Sequence, residues 1–332
     1  MACSLPCSAQ ASHPSSSCRS APPFAKCFVP VSHLQPKRRA CVPVSVQAPA
    51  RPTYETHTEL ARGLWSEPRV DTQQLISRED LQSLEAELDS GESVKALRRF
   101  NDNLRQLPAE CWEERLRPVM NELAYNLESF NPAFAAVLLQ VQCTIGRSDY
   151  VARDGALKAL IQPLAGEYGM HNGEAQAKTH RELFSEFYAD LMREPLEALL
   201  ADNPAPAASV AFFECMLADI VGGSGAADPV EKASYALGYN LAIEYLADYE
   251  KTWMLDSFRA LDARVLAPQG RRLREWLFLE VHAEGEAEHA ALGHVAVAGF
   301  VPATHVGLLR RAMRDHDRDF AAFYNHLAAL LE

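Results

Sequence analysis

From Gln73 to the C-terminus apolar residues recur at three- and four-residue spacing, and strict alternation is nowhere sustained. A periodicity near 3.6 without hairpin signals confines such a chain to packed helices. Ser77-Arg-Glu-Asp80 is a helix start, with two side chains able to accept from free backbone N–H groups. Helices are predicted over Leu81–Leu88, Val94–Leu107 and Trp112–Leu127, with Asn131-Pro132 opening another over 134–145. Asp154 is the predicted cap of Ala156–Glu167, in which Pro163 implies a kink or an early end. Thr179–Leu200, Ala208–Val221, Val230–Leu266, Arg271–Val297 and Thr304–Leu331 follow, the fourth from last opened by Pro204-Ala-Pro206 and the third from last by Asp228-Pro229 in cap-then-N1 order. The expectation is one all-α domain of nine or ten helices.

The first 54 residues differ in kind. They hold no Asp or Glu, six Lys or Arg, five of the eight Cys, and many Ser and Pro. An acid-free, Arg- and Ser-rich leader ahead of an acidic body has the composition of an organelle transit peptide. Its Pro and Ser density favours a chloroplast over a mitochondrion, with a processing region at 44–50. No apolar run in it is long enough for a membrane span. Residues 55–107 are then an N-terminal helical extension and 108–332 the main helical domain. Removing the leader leaves 26 basic and 44 acidic side chains, a formal charge near −18 against −12 for the whole chain. Nucleic acid and anionic membrane surfaces are poor partners for such a body. Cys111, Cys143 and Cys215, the body's remaining cysteines, show no CxxC spacing, which points to reduced thiols.

Chemistry concentrates in Leu277–His294. His282, Glu286 and His289 stand at i, i+4 and i+7, within about 60° of one another on a helix. Two imidazoles and a carboxylate on one stripe need partners if buried, and two His with one carboxylate suit O2-activating iron. The bland alternative is a solvated face, since Glu280, Glu284 and Glu288 crowd the same helix. Three further positions could complete a site: Glu244 inside an otherwise apolar helix face, His180 opening Thr179-His-Arg-Glu-Leu-Phe184, and Glu167 ahead of a loop that carries His171 and Glu174.

In order, Glu167-x-Gly, His180-x-x-Leu-Phe, Ala236-Leu-Gly followed by Glu244, and His282-x-x-x-Glu-x-x-His289 resemble the haem-oxygenase-like iron-containing oxidases. This helical family is related in fold to the TenA and PqqC proteins, and the resemblance covers about Glu110–Leu331. It implies a haem-oxygenase-like multi-helical bundle and non-haem iron, two Fe(II) per chain. It also implies O2-dependent oxidation of a small organic substrate such as an amine, amino acid or fatty acid. The implied ligands are Glu167, His180, Glu244, His282, Glu286 and His289, with Glu244 bridging. The family usually has Asp where Glu286 stands, and a shorter interval between its first two ligands, so Glu174 or His171 competes with Glu167.

Other readings are weaker. A ferritin-like centre needs two Glu-x-x-His pairs on separate helices, and only Glu286-Ala-Glu-His289 exists. Haem needs an axial His on an early helix, and Trp112–Ile145 has none. A TenA-like hydrolase would use Cys215 as nucleophile, with a carboxylate acid/base. A non-catalytic acidic helical plastid protein would leave the six positions unconverged. Tyr168, Tyr239 and Tyr245 are pocket candidates without an assigned role. The face of the last helix serves either the core or a homodimer.

Overall fold

The computed structural model describes residues 74–332, apart from 172, 173, 176, 204 and 205 and the side chains of 171, 174, 175, 202, 284 and 286. The proposed leader and residues 55–73 lie outside the described residues. Ten α-helices are present among those described: α1 Arg78–Asp89, α2 Glu92–Gln106, α3 Trp112–Gln142, α4 Tyr150–Glu167, α5 His180–Met192, α6 Leu196–Asp202, α7 Ala207–Gly222, α8 Pro229–Leu261, α9 Leu277–Phe300 and α10 Val306–Leu330. The expected all-α architecture is what the chain adopts. A two-residue hairpin, Met170–His171 against Glu174–Ala175, fills the loop after α4.

Helix α8 is the centre of the bundle. From Ala233 to Leu246 it is buried all round, as a helix enclosed by others must be. It packs against α2, α3, α9 and α10. Asp228 caps it through the Val230 and Glu231 N–H groups, and Pro229 occupies the first turn, where no N–H is missed. The α8–α10 crossing is close: a Cβ on Gly238 would stand 3.0 Å from the Leu309 Cα and 3.2 Å from the Ala312 Cβ. Leu97, Phe100 and Leu104 of α2 are fully buried in the same core, so α2 packs as part of the bundle.

Several boundaries depart from the sequence reading, some for local reasons and some through groups on other elements. Asn131-Pro132 does not start a helix; α3 runs unbroken through Pro118 and Pro132. The carbonyl that Pro132 leaves without a donor belongs to Glu128, and both residues face solvent, where water replaces the lost bond. Helix α4 begins at Tyr150, capped by Asp149 rather than Asp154, and passes through Pro163 to Glu167. The predicted Thr179–Leu200 helix is two. Arg193 adopts a left-handed conformation (φ 59°), and Pro195 disfavours helix at Glu194, whose carboxylate is taken by Arg117 and Tyr188. Helix α9 starts six residues late. The Leu273 N–H donates to Asp262, and those of Arg274 and Glu275 to Asp190, so carboxylates from other elements take these N–H groups ahead of the helix.

Helix α7 with its following turn is apolar and long enough, by length and composition, to cross a membrane. Its Phe212, Met216 and Ile220 instead insert into the core. Buried Glu122 of α3 accepts from the Ser209 N–H and hydroxyl, holding the helix N-terminus in place of a side-chain cap.

Candidate metal centre

Glu167 is the last residue of α4 and His180 the first of α5, and the intervening loop folds back on itself. Gly169 makes that return: at φ +68°, its position is one where a Cβ would lie 2.3 Å from the Ala177 carbonyl oxygen. Thr179 then starts α5 with a capping box, its hydroxyl accepting from the Glu182 N–H while Glu182 accepts from the Thr179 N–H. The result sets His180 Nδ1 2.9 Å from Glu167 Oε1. That nitrogen is buried and makes no well-directed hydrogen bond.

Helix α9 supplies the third group. The His282 ring lies 4.2 Å, centroid to centroid, from that of His180 and 4.5 Å from Phe278. His282 Nδ1 donates to the Phe278 carbonyl one turn earlier, at 2.5 Å. A carbonyl only accepts, so Nδ1 carries a proton and the ring is oriented with Nε2 as its prospective ligand atom, the usual way a protein orients a metal-binding imidazole. Among the described residues, Glu167, His180 and His282 form a group whose ligand atoms all lie within 4.8 Å of one another. Ligands on one metal with bonds near 2.1 Å stand roughly 3–4 Å apart, so small adjustments suffice.

A second carboxylate–imidazole pair lies on α8 and α9: Glu244, almost fully buried, has Oε2 3.9 Å from His289 Nδ1. A Cβ on Gly166, beside Glu167, would be 3.9 Å from His289 Nε2, which sets this pair alongside the first group. Glu286 belongs to α9, but its side chain lies outside the described residues, as do those of the competing first ligands Glu174 and His171. Gly166, Gly169, His180, His282, Gly285 and His289 all line one cavity of about 650 Å3. Two helical glycines on its walls, Gly166 and Gly285, leave space beside the imidazoles. The sequence reading missed the Phe278 carbonyl and Gly166. Helical spacing signals the first, four residues before His282; only the α4–α9 packing reveals the second.

Cys215 is exposed on α7 and does not line this cavity. Partial desolvation of the sulfur and the nearby Asp319 and Asp219 hold its thiol above the ordinary range, the reverse of what a thiolate nucleophile needs. Tyr239 and Tyr245 are buried, while Tyr168 is exposed, and none of the three lines the cavity.

No protein-family model matches the chain, and no curated protein matches it. Solved structures do. A CadD-like protein of unknown function from Nostoc punctiforme PCC 73102 superposes with a TM-score of 0.57 at 14% identity, covering 76% of this chain and 96% of that one. A TenA homolog from Pseudomonas syringae pv. tomato str. DC3000 gives 0.50 at 16%, covering 73% and 91%. The fold is haem-oxygenase-like. At these identities the likeness concerns the fold of the TenA-like helical proteins, and function has to be argued from the site.

Proposed function

We propose that this haem-oxygenase-like protein is a non-haem iron enzyme that uses O2 to oxidise or cleave a small organic substrate. The observation carrying this reading is the convergence of Glu167, His180 and His282 from three different helices, with both imidazoles lining a large cavity. Two imidazoles and a carboxylate with open positions form the donor set of O2-activating iron. The residues fit the group: His282 is oriented by its Nδ1–H on the Phe278 carbonyl, and the buried His180 Nδ1 lies 2.9 Å from a Glu167 oxygen. Glu244 and His289, with Glu286, would hold a second iron. Bound by these residues, iron would supply one-electron redox chemistry towards O2 and a positive charge at the cavity.

The chain's own residues do the rest. Phe278 holds the His282 ring through its carbonyl and its own ring, and the cavity admits substrate between α4 and α9. Leu183, Val281 and Leu292 give it apolar walls suited to the hydrocarbon part of an amine, amino acid or fatty acid. We place the enzyme in the chloroplast on the composition of residues 1–54, which targeting of a fluorescent protein by that segment tests.

Iron per chain after anaerobic Fe(II) loading is the deciding measurement, with His180→Ala and His289→Ala as controls. Two irons, reduced in each control, support the dinuclear reading; one iron lost only in the first points to a mononuclear centre. An iron content equal in all three proteins overturns the proposal.

A further inference from the structure

An O2-using centre needs electrons, and the helix that carries Glu244 also carries a row of oxidisable rings, whose first member follows Glu244 in the sequence. Tyr245, Tyr249 and Trp253 follow at four-residue spacing and so share one face of α8. The ring centroids of Tyr245 and Tyr249 are 6.1 Å apart, and those of Tyr249 and Trp253 5.4 Å at an interplanar angle of 89°. Both tyrosines are buried, whereas Trp253 is partly exposed, with the Arg98 guanidinium 5.7 Å from its ring centroid. The row thus leads from the inside of the molecule to its surface.

Other buried tyrosines, such as Tyr235 and Tyr324, each bond a carboxylate of their own; this pair shares one. Both phenols donate to one carboxylate oxygen, Asp89 Oδ1 at the end of α1, Tyr245 at 2.9 Å. Asp89 itself is exposed. Here two phenols share an acceptor in contact with water.

We infer that Tyr245, Tyr249 and Trp253 form a charge-transfer row between the candidate centre at Glu244 and the surface, with Asp89 as proton acceptor for both tyrosines. When an oxidant draws an electron from a tyrosine, the phenolic O–H bond breaks and its proton passes to Asp89, leaving a neutral tyrosyl radical. An electron from Trp253 and the proton from Asp89 restore the phenol. A one-electron reductant in solution then restores Trp253, so one electron crosses and no proton is lost. The inference rests on the redox reading of the centre, but the row is testable without it.

The test uses the metal-free full-length chain, with flash-generated tris(bipyridine)ruthenium(III) as the one-electron oxidant and freeze-quench electron paramagnetic resonance as the readout. Wild type is expected to give a tyrosyl radical whose yield falls several-fold in Trp253→Phe and in the double variant Tyr245→Phe/Tyr249→Phe. Tyr235→Phe removes another buried tyrosine bonded to an aspartate, and should leave the yield unchanged. Asp89→Asn should make radical formation depend on the concentration of buffer base. The Phe variants retain the rings and so the packing. An unchanged yield in both Trp253→Phe and the double variant overturns the row, as does an equal loss in Tyr235→Phe. Iron loading of the same proteins separates the two ideas: a chain that binds no iron fails the redox reading, while the radical yields still decide the row.

Discussion

Glu167 Oε1 and His180 Nδ1 stand 2.9 Å apart, joining the end of one helix to the start of the next. Neither position is a helix-face neighbour of the other. Their meeting depends on the fold-back at Gly169 and the capping box at Thr179, so local backbone geometry and the candidate centre are coupled.

Metal binding to this group should show as stability. A ligand at a hundred times its Kd stabilises by ~2.7 kcal/mol, which for a domain of this size raises Tm by on the order of 5 °C. Anaerobic Fe(II), or Co(II) as a spectroscopic substitute, should give such a shift in wild type. Glu167→Gln and His282→Ala should abolish it in differential scanning calorimetry.

Gly169→Ala combines a disfavoured positive φ with a clash against the Ala177 carbonyl. The expected destabilisation is about 1–3 kcal/mol, measured by urea unfolding. Loss of metal affinity in the folded variant, beyond that stability change, would show that the turn positions the two ligands. Unaltered affinity would refute that link.

Gly238→Val should destabilise by about 1–3 kcal/mol or more through overpacking, because the α8–α10 crossing leaves no room between Gly238 and Leu309. Gly285→Ala is the contrast. Its Cβ would meet nothing within 4 Å, so the unfolding midpoint should stay the same or rise, by up to ~1 kcal/mol in helix propensity.

Acid stability should carry the signature of His316. This imidazole is fully buried among Phe212, Tyr239 and Phe320, and burial pushes its pKa down to about 3 from an ordinary 6.5. The folded-state pKa is the lower one, so between those values the unfolded chain binds the proton first. Stability is therefore lost as pH falls from about 6.5 towards 3, by ~1.4 kcal/mol per unit. His316→Leu should flatten that slope in urea unfolding series at stepped pH; an identical slope would exclude His316 as its source.

Periodicity and punctuation made most helices legible, because a 3.6-residue apolar repeat and caps such as Ser77 and Asp228 act within one or two turns. The errors fell where distant groups intervene. Asp190 and Asp262 take the backbone N–H groups ahead of α9, and Glu194, bound by Arg117 and Tyr188, helps split the expected long helix. Arg117 and Asp190 lie more than seventy residues from the segments they hold, beyond any local window.

The candidate site divides in the same way. The stripe of His282, Glu286 and His289 follows from helix geometry alone, and the sequence by itself determined that two imidazoles and a carboxylate would share a face. That Glu167 and His180 reach His282, that Gly166 lies beside His289, and that Glu244 meets His289 rather than solvent were decided only by how α4, α5, α8 and α9 pack. Side-chain spacing along a helix is set by bonds between near neighbours. Convergence between helices is set by the burial of their apolar faces, which depends on the whole core at once.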